Sequence, residues 1–350
     1  MDMSRLRAVA ALAAAGALLF GAAACADSDD GPQAEAGADG SITLYSGRNE
    51  NLIGPLLAQF EAESGITVEV RYGDTAQMAA QLLTEGDRTP ADVFLAQDAG
   101  ALGAVAKAGL FATLPQEVLD RVNPAFRASD GSWVGVTGRS RVLVYNSEQV
   151  DEAELPQSVF ELTEPQWRGR VGIAPTNASF QAFVTAMRVQ HGDEVARDWL
   201  AGIAANDPQI RERNGQIVAD INEGRLDVGL VNHYYLYERA REDGVPVEEL
   251  AARNYMFPDG DTGALVNVSG VGVLSHAAED ADVQAFVDYL LSTAGQTYFT
   301  EQTSEYPMTG AVTVPVGLPA LSQLRVPDVD LNDLDTLDQT VAMITEAGLA

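Results

Sequence analysis

The stretch SITLYSGRNENLIGPLLAQFEAESGITVEVRY (residues 41–72) reads as strand, helix, strand. Ile42–Tyr45 is a short apolar strand, and Ser46, Gly47, Arg48 and Asn49 turn the chain. Leu52, Ile53, Leu56, Leu57 and Phe60 then recur at helical spacing between Glu50 and Ser64. Gly65 ends that helix, because a residue without Cβ adopts the left-handed C-terminal geometry at little cost. Thr67–Tyr72 alternates as a strand. Thr75–Glu85 is again helical, with Met78, Ala79, Leu82 and Leu83 on one face, and Asp92–Ala96 is the next strand. Strands alternating with helices of about 10–15 residues predict βαβ units and a parallel sheet. In such sheets ligands bind beyond the carboxyl ends of strands, so the loops 46–49 and 97–100 are candidate ligand loops.

Farther on, Trp133–Val136 and Arg141–Tyr145 read as two strands flanking the polar segment Thr137-Gly138-Arg139-Ser140. A second α/β unit follows: strand Val171–Ala174, helices Ser179–Gln190, Glu194–Ala204 and Gly215–Glu223, and strand Asp227–Val231. Next comes Asn232-His233-Tyr234-Tyr235. Val266–Leu274 alternates and returns the chain to the first unit, and Ala281–Leu291 and Leu334–Ala347 are closing helices. A chain of 350 residues exceeds the roughly 250–300 residues at which single cores stop growing, so two lobes are expected.

At the N-terminus, Arg5 and Arg7 precede an apolar run from Ala8 to Phe20, followed by Gly21-Ala22-Ala23-Ala24-Cys25. A basic start, a short apolar run and small residues mark an export signal over 1–24. The run falls short of the roughly 20 apolar residues a membrane-spanning helix needs. The sole cysteine sits where a bacterial lipobox, which this segment resembles, carries its lipid, so an anchor at Cys25 is expected. An ordinary secretory signal with an incidental cysteine is the alternative. Residues 25–40 continue as an acidic tether without large apolar side chains, reaching roughly 20 Å as a flexible coil.

The formal net charge of −30 argues against nucleic acid, whose binding rests on clustered Lys and Arg. One cysteine excludes an internal disulfide framework, iron–sulfur clusters and cysteine-based zinc sites. HExxH, GxSxG, Walker A and a GxGxxG after a strand are all missing from the sequence, and three histidines stand singly. No enzymatic activity is expected.

The opening stretch, with EGDRTPADVFLAQDAGAL, GVTGRSRVLVYN, PQWRGRVGIAPTNASF, RNGQIVADINEGRLDVGLVNHYYLYE, GALVNVSGVGVL and SEYPMTGAV, resembles the bacterial ferric-iron-binding periplasmic proteins from Ser41 onward. The resemblance implies an α/β, two-lobe periplasmic-binding-protein-like fold with crossing hinge strands and an interlobe cleft. The lobes it suggests are 41–138 with 265–315 and 139–264 with 316–350. It implies capture of Fe(III) and delivery to the permease and ATPase of an ABC importer, by a monomer held outside the cell membrane. By the NxYY pattern, Tyr234 and Tyr235 would be ferric ligands and Asn232 a supporting group. Ferric ion is hard and triply charged and prefers anionic oxygens. A bound cation of that charge deprotonates a phenol whose ordinary pKa is about 10.

The family commonly completes the shell with a synergistic anion, phosphate or carbonate. The matching positions here are Asn177, Ala178 and Ser179 at a helix start, with Asn214. Helix capping alone is the plainer reading of Asn177 and Ser179. Arg139 would lend positive charge to the cleft or form a hinge ion pair. Where relatives carry a histidine and a glutamate, this chain has Asn49 and Gln97, so the first lobe is expected to coordinate little directly. Glu50 and Asp98, one residue along, could substitute as ligands but are expected to be solvated. His233 could be a rescue ligand but is expected to point away from Tyr234 in an extended segment. Tyr237 is expected to pack on the helix after the pair. A ferric chelate, an oxyanion or a small organic solute is the alternative ligand.

Overall fold

The computed structural model describes residues 40–310 and 312–350. The expected signal segment, Cys25 and the tether up to residue 39 lie outside the described residues. The strands are β1 (Ser41–Ser46), β2 (Thr67–Tyr72), β3 (Val93–Ala96), β4 (Trp133–Asn146), β5 (Val171–Ile173), β6 (Gln209–Ile210), β7 (Val228–Asn232), β8 (Ala252–Tyr255), β9 (Val266–Val273) and β10 (Tyr306–Pro307). The helices are α1 (Glu50–Ser64), α2 (Thr75–Glu85), α3 (Ala99–Lys107), α4 (Gln116–Leu119), α5 (Ala178–His191), α6 (Asp193–Ala205), α7 (Asn214–Asn222), α8 (Tyr234–Asp243), α9 (Ala281–Leu290), α10 (Thr293–Thr303) and α11 (Leu337–Glu346).

The amphipathic signal of the opening stretch is fulfilled in α1, which buries Ile53, Leu56, Leu57 and Phe60 and ends on Gly65 at φ 77°. β1 pairs in parallel with β2 and β3, and β5 pairs in parallel with β6 and β7. Between these two parallel groups run β9 and β4, both antiparallel to their neighbours. The order along the sheet path is β2-β1-β3-β9-β4-β7-β5-β6.

β4 is the element that makes two lobes out of one chain. Its first half, Trp133–Ser140, pairs with β9, and from Arg141 onward it pairs with β7. The change of partner falls between Ser140 and Arg141. The sequence reading of two strands around a polar segment is therefore corrected: β4 is one strand of 14 residues, all buried. Its polar side chains are tolerated because distant groups satisfy them, chiefly Glu305, which accepts from Thr137 Oγ1 at 2.6 Å. Buried polar groups without such partners would destabilise a strand by a few kcal/mol each.

The loops at the carboxyl ends of β1, β3, β5 and β7 face the cleft, as the parallel topology requires. Past β10, the residues assigned from sequence to the second lobe divide in their packing. The 3-10 turn Leu331–Asp335 lies against α3 and α5, whereas α11 packs on α5 and α6. No helix among the described residues is long and apolar enough to cross a membrane.

Candidate metal-binding cleft

The chain enters the cleft from β7 at Asn232, and α8 starts on Tyr234. This corrects the extended geometry expected for His233, which has helical dihedrals (φ −56°, ψ −35°). Both its ring nitrogens are engaged: Nδ1 accepts from the Ser140 N–H at 3.1 Å and Nε2 donates to the Ser304 carbonyl at 2.8 Å. Burial pushes its pKa down to about 4. A neutral imidazole with no free nitrogen does not serve as a metal ligand.

The rings of Tyr234 and Tyr235 stack with centroids 4.3 Å apart and line a small cavity of about 80 Å³. Its other walls come from Gln97 and Asp98 after β3, from Arg139 and Arg141 on β4, and from Asn177, Ala178 and Ser179 at the start of α5. Asn232, Leu265 and Asn267 complete it. Burial raises the Tyr234 phenol well above its ordinary pKa and Tyr235 adds to the rise, while the Arg139 charge works against both. Burial thus favours the neutral phenol at Tyr234. Tyr237, one turn on, donates to the Val316 carbonyl at 2.8 Å and is the packing residue expected.

Arg141 is the residue that sequence reasoning missed. It donates to Ser179 Oγ at 3.1 Å, to Asn232 Oδ1 at 3.3 Å and to the Leu230 carbonyl at 2.9 Å, and its Nε has no partner. Burial pulls its pKa down to about 9, so it remains a cation at neutral pH. The signal that would have found it is its spacing: residues two apart on a strand share a face, so Arg139 and Arg141 project together.

Asn177 caps α5, accepting from the Ser179 N–H at 3.0 Å and from Ser179 Oγ at 2.6 Å. Asn214 sits behind the cavity wall and donates to Ser179 Oγ at 3.0 Å and to Asn177 Oδ1 at 3.2 Å. The capping reading is therefore realised, at a helix start that also faces the cavity. Arg139 donates to the Gln97 carbonyl and lies 4.0 Å from Glu305. Arg48 grips the same carboxylate with both Nη atoms at 3.1 Å. Burial opposes ionisation of Glu305, but the Arg48 and Arg139 charges prevail and hold its pKa below the usual range.

The first lobe contributes unevenly. Gln97 lines the tyrosine cavity and also a neighbouring polar opening that includes Asn49 and Glu50. Asn49 itself caps α1, accepting from the Asn51 N–H at 2.9 Å, and is exposed outside the tyrosine cavity. Asp98, expected to be solvated, instead lines the cavity and caps α3 through the Ala101 N–H at 3.1 Å. Burial raises its carboxyl pKa, against the Ala101 hydrogen bond and the Arg139 charge. Among the described residues, no three His, Cys, Asp or Glu side chains converge to hold a metal.

Two α/β lobes sharing crossing strands, with a polar cavity between them, define a binding protein that encloses a small ligand. The chain belongs to the bacterial extracellular solute-binding proteins, a family that residues 88–336 match; its members bind solutes and are not enzymes. The chain is 34% identical to the Fe(3+)-binding periplasmic protein of Serratia marcescens, over 100% of this chain and 99% of that one. Iron-bound HitA from Pseudomonas aeruginosa superposes with a TM-score of 0.77 at 35% identity, covering 88% of this chain and 99% of the other. The Trichodesmium IdiA (FutA) protein, in complex with iron and citrate, superposes with a TM-score of 0.76 at 25% identity, over 89% and 100%.

Proposed function

We infer that the protein captures ferric iron in this cleft and passes it to the permease and ATPase of an ABC importer. The observation that carries the reading is the stacked pair Tyr234 and Tyr235, lining one cavity with Arg139 and Arg141. Phenolates are hard anionic oxygen donors, and a trivalent ion at the site reverses the burial cost that keeps Tyr234 protonated when empty. The iron-binding descriptions of the Serratia and Pseudomonas proteins support the same ligand.

A synergistic anion, phosphate or carbonate, completes the coordination at Asn177, Ala178 and Ser179, where the helix start favours negative charge. Asn214 fixes Ser179 from behind, and Arg141 supplies the counter-charge. Asn232 and Arg139 support the tyrosines and the hinge. Gln97, with Asn49 at the adjoining opening, brings the first lobe to the ligand, and contact with both lobes drives closure. The lobes follow 41–138 with 265–315 and 139–264 with 316–350, except that β4 stays with the first lobe through Ser140 and residues 331–335 also rest on α3 of the first lobe. Removal of residues 1–24 and lipidation of Cys25 would leave a monomer on its acidic tether at the outer face of the cell membrane.

Adding ferric citrate to the purified protein should produce a visible phenolate-to-iron charge-transfer band. That band should vanish in the Tyr234→Phe/Tyr235→Phe double variant. A colourless wild type without iron affinity overturns the reading. The Trichodesmium complex contains citrate, which favours a ferric chelate as the second reading, ahead of an oxyanion or organic solute. Native mass spectrometry of the loaded protein separates these by the mass retained.

A further inference from the structure

We propose that residues 330–337 form a tether that joins the two lobes at a second point and limits how far the cleft opens. On the first-lobe side the segment is pressed onto α3. A Cβ at Gly100 or Gly103 would collide with the carbonyls of Leu334 and Asn332 respectively, so the contact is backbone against backbone. Trp133 Nε1, buried at the start of β4, donates to Asn332 Oδ1 at 2.6 Å. Lys107, the only lysine of the chain, donates from the end of α3 to Asp333 at 3.1 Å and to Asp335 at 2.9 Å.

One residue later the attachments change lobes. Arg188 of α5 donates to the Thr336 carbonyl and to Thr340 Oγ1, both at 2.9 Å, and to Gln339 Oε1 at 2.5 Å. The hydroxyls of Thr185 and Thr340 pair at 2.7 Å in the buried face between α5 and α11. The turn 331–335 packs between α3 and α5, and its polar bonds divide at one peptide link: Asp335 is bonded from Lys107 of α3 and Thr336 from Arg188 of α5.

The location matters as much as the attachment. Leu334, Asp335, Leu337 and Asp338 share a groove with Asp98 and Ala178, and those two residues also line the tyrosine cavity. The tether thus flanks the cavity, apart from the hinge, where β4 at Ser140–Arg141 and the chain entering β9 at Leu265–Val266 cross side by side. An attachment set apart from the hinge restricts the relative motions that the hinge alone would allow. Separation of α3 from α5 has to strip one anchor or strain the Asp335–Thr336 link.

The test inserts Gly-Ser-Gly between Asp335 and Thr336 in the full chain and compares small-angle scattering of the ligand-free proteins. The radius of gyration should increase over wild type, and iron should pass to a competing chelator several-fold faster. A scattering profile identical to wild type overturns the tether. Should the insertion abolish folding, the Lys107→Met/Asn332→Ala variant decides by the same criterion, because it loosens only the α3 anchor. The scattering readout requires no iron, so its outcome is independent of whether the ligand assignment stands.

Discussion

Arg141 Nη1 donates to Ser179 Oγ across 3.1 Å, connecting the strand common to both lobes with the first turn of α5. The ionisable groups acting on this guanidinium are Tyr235 and Tyr234, not a carboxylate. A buried cation facing only neutral partners is costly in the empty protein and is relieved by an incoming anion. Arg141→Met should therefore leave the ligand-free protein as stable as wild type or more so. Its iron affinity should fall about 100-fold, close to the 2–5 kcal/mol range for truncating one partner of a buried charge pair. Thermal melts without ligand and chelator competition with and without phosphate measure the two effects.

Iron uptake should release protons. Tyr234 is neutral in the empty cavity because burial opposes its ionisation, and ligation requires the phenolate. If both tyrosines enter as phenols, about two protons leave per iron, and affinity strengthens with rising pH at fixed iron speciation. Titration in weakly buffered solution with a pH indicator checks the stoichiometry, and Tyr234→Phe should remove one proton of it.

His233 should give the fold an acid sensitivity of known sign. Burial holds its pKa at about 4, below the ordinary 6.5. The unfolded chain therefore takes up the proton first as pH falls. This contribution is complete above about pH 6.5 and declines by about 1.4 kcal/mol per pH unit towards pH 4, up to about 3 kcal/mol. Urea unfolding at several pH values should show that slope in wild type and lose it in His233→Gln.

Glu305 holds two arginines and a threonine at the base of the cleft. Glu305→Gln leaves the Arg48 and Arg139 charges buried without their counter-ion. A loss of about 3–5 kcal/mol is expected, visible as a large drop in the urea midpoint. Replacing exposed Asp333 by Asn should change stability by less than about 1 kcal/mol.

The first βαβ unit was legible because each of its elements carries a local signal: the apolar spacing of α1, its glycine stop, and the alternation of β2. β4 was misread because Thr137, Arg139 and Ser140 are polar yet buried, and the carboxylate that makes this tolerable lies far away in sequence. α10 was missed because TAGQTYFTEQT has weak helical periodicity, and α3 because its alanines and two glycines look like a loop. In the site, the tyrosine pair was legible only through the surrounding family motifs. Arg141 shares a strand face with Arg139, which spacing alone could have shown once β4 was read as one strand, whereas Asp98 needed the fold, since nothing local says which loop the cavity will meet.

The cluster around Glu305 also constrains how the molecule comes into being. Arg48 and Glu305 lie 257 positions apart, yet they close the same lobe. That lobe contains β1 to β3 and also β9, so it stays incomplete until most of the polypeptide has been made. Such long-range closure is entropically expensive and slows folding relative to chains dominated by local contacts. The first lobe cannot mature in step with synthesis, and the nascent chain stays unfinished, with its apolar strands unpaired, until its last third arrives.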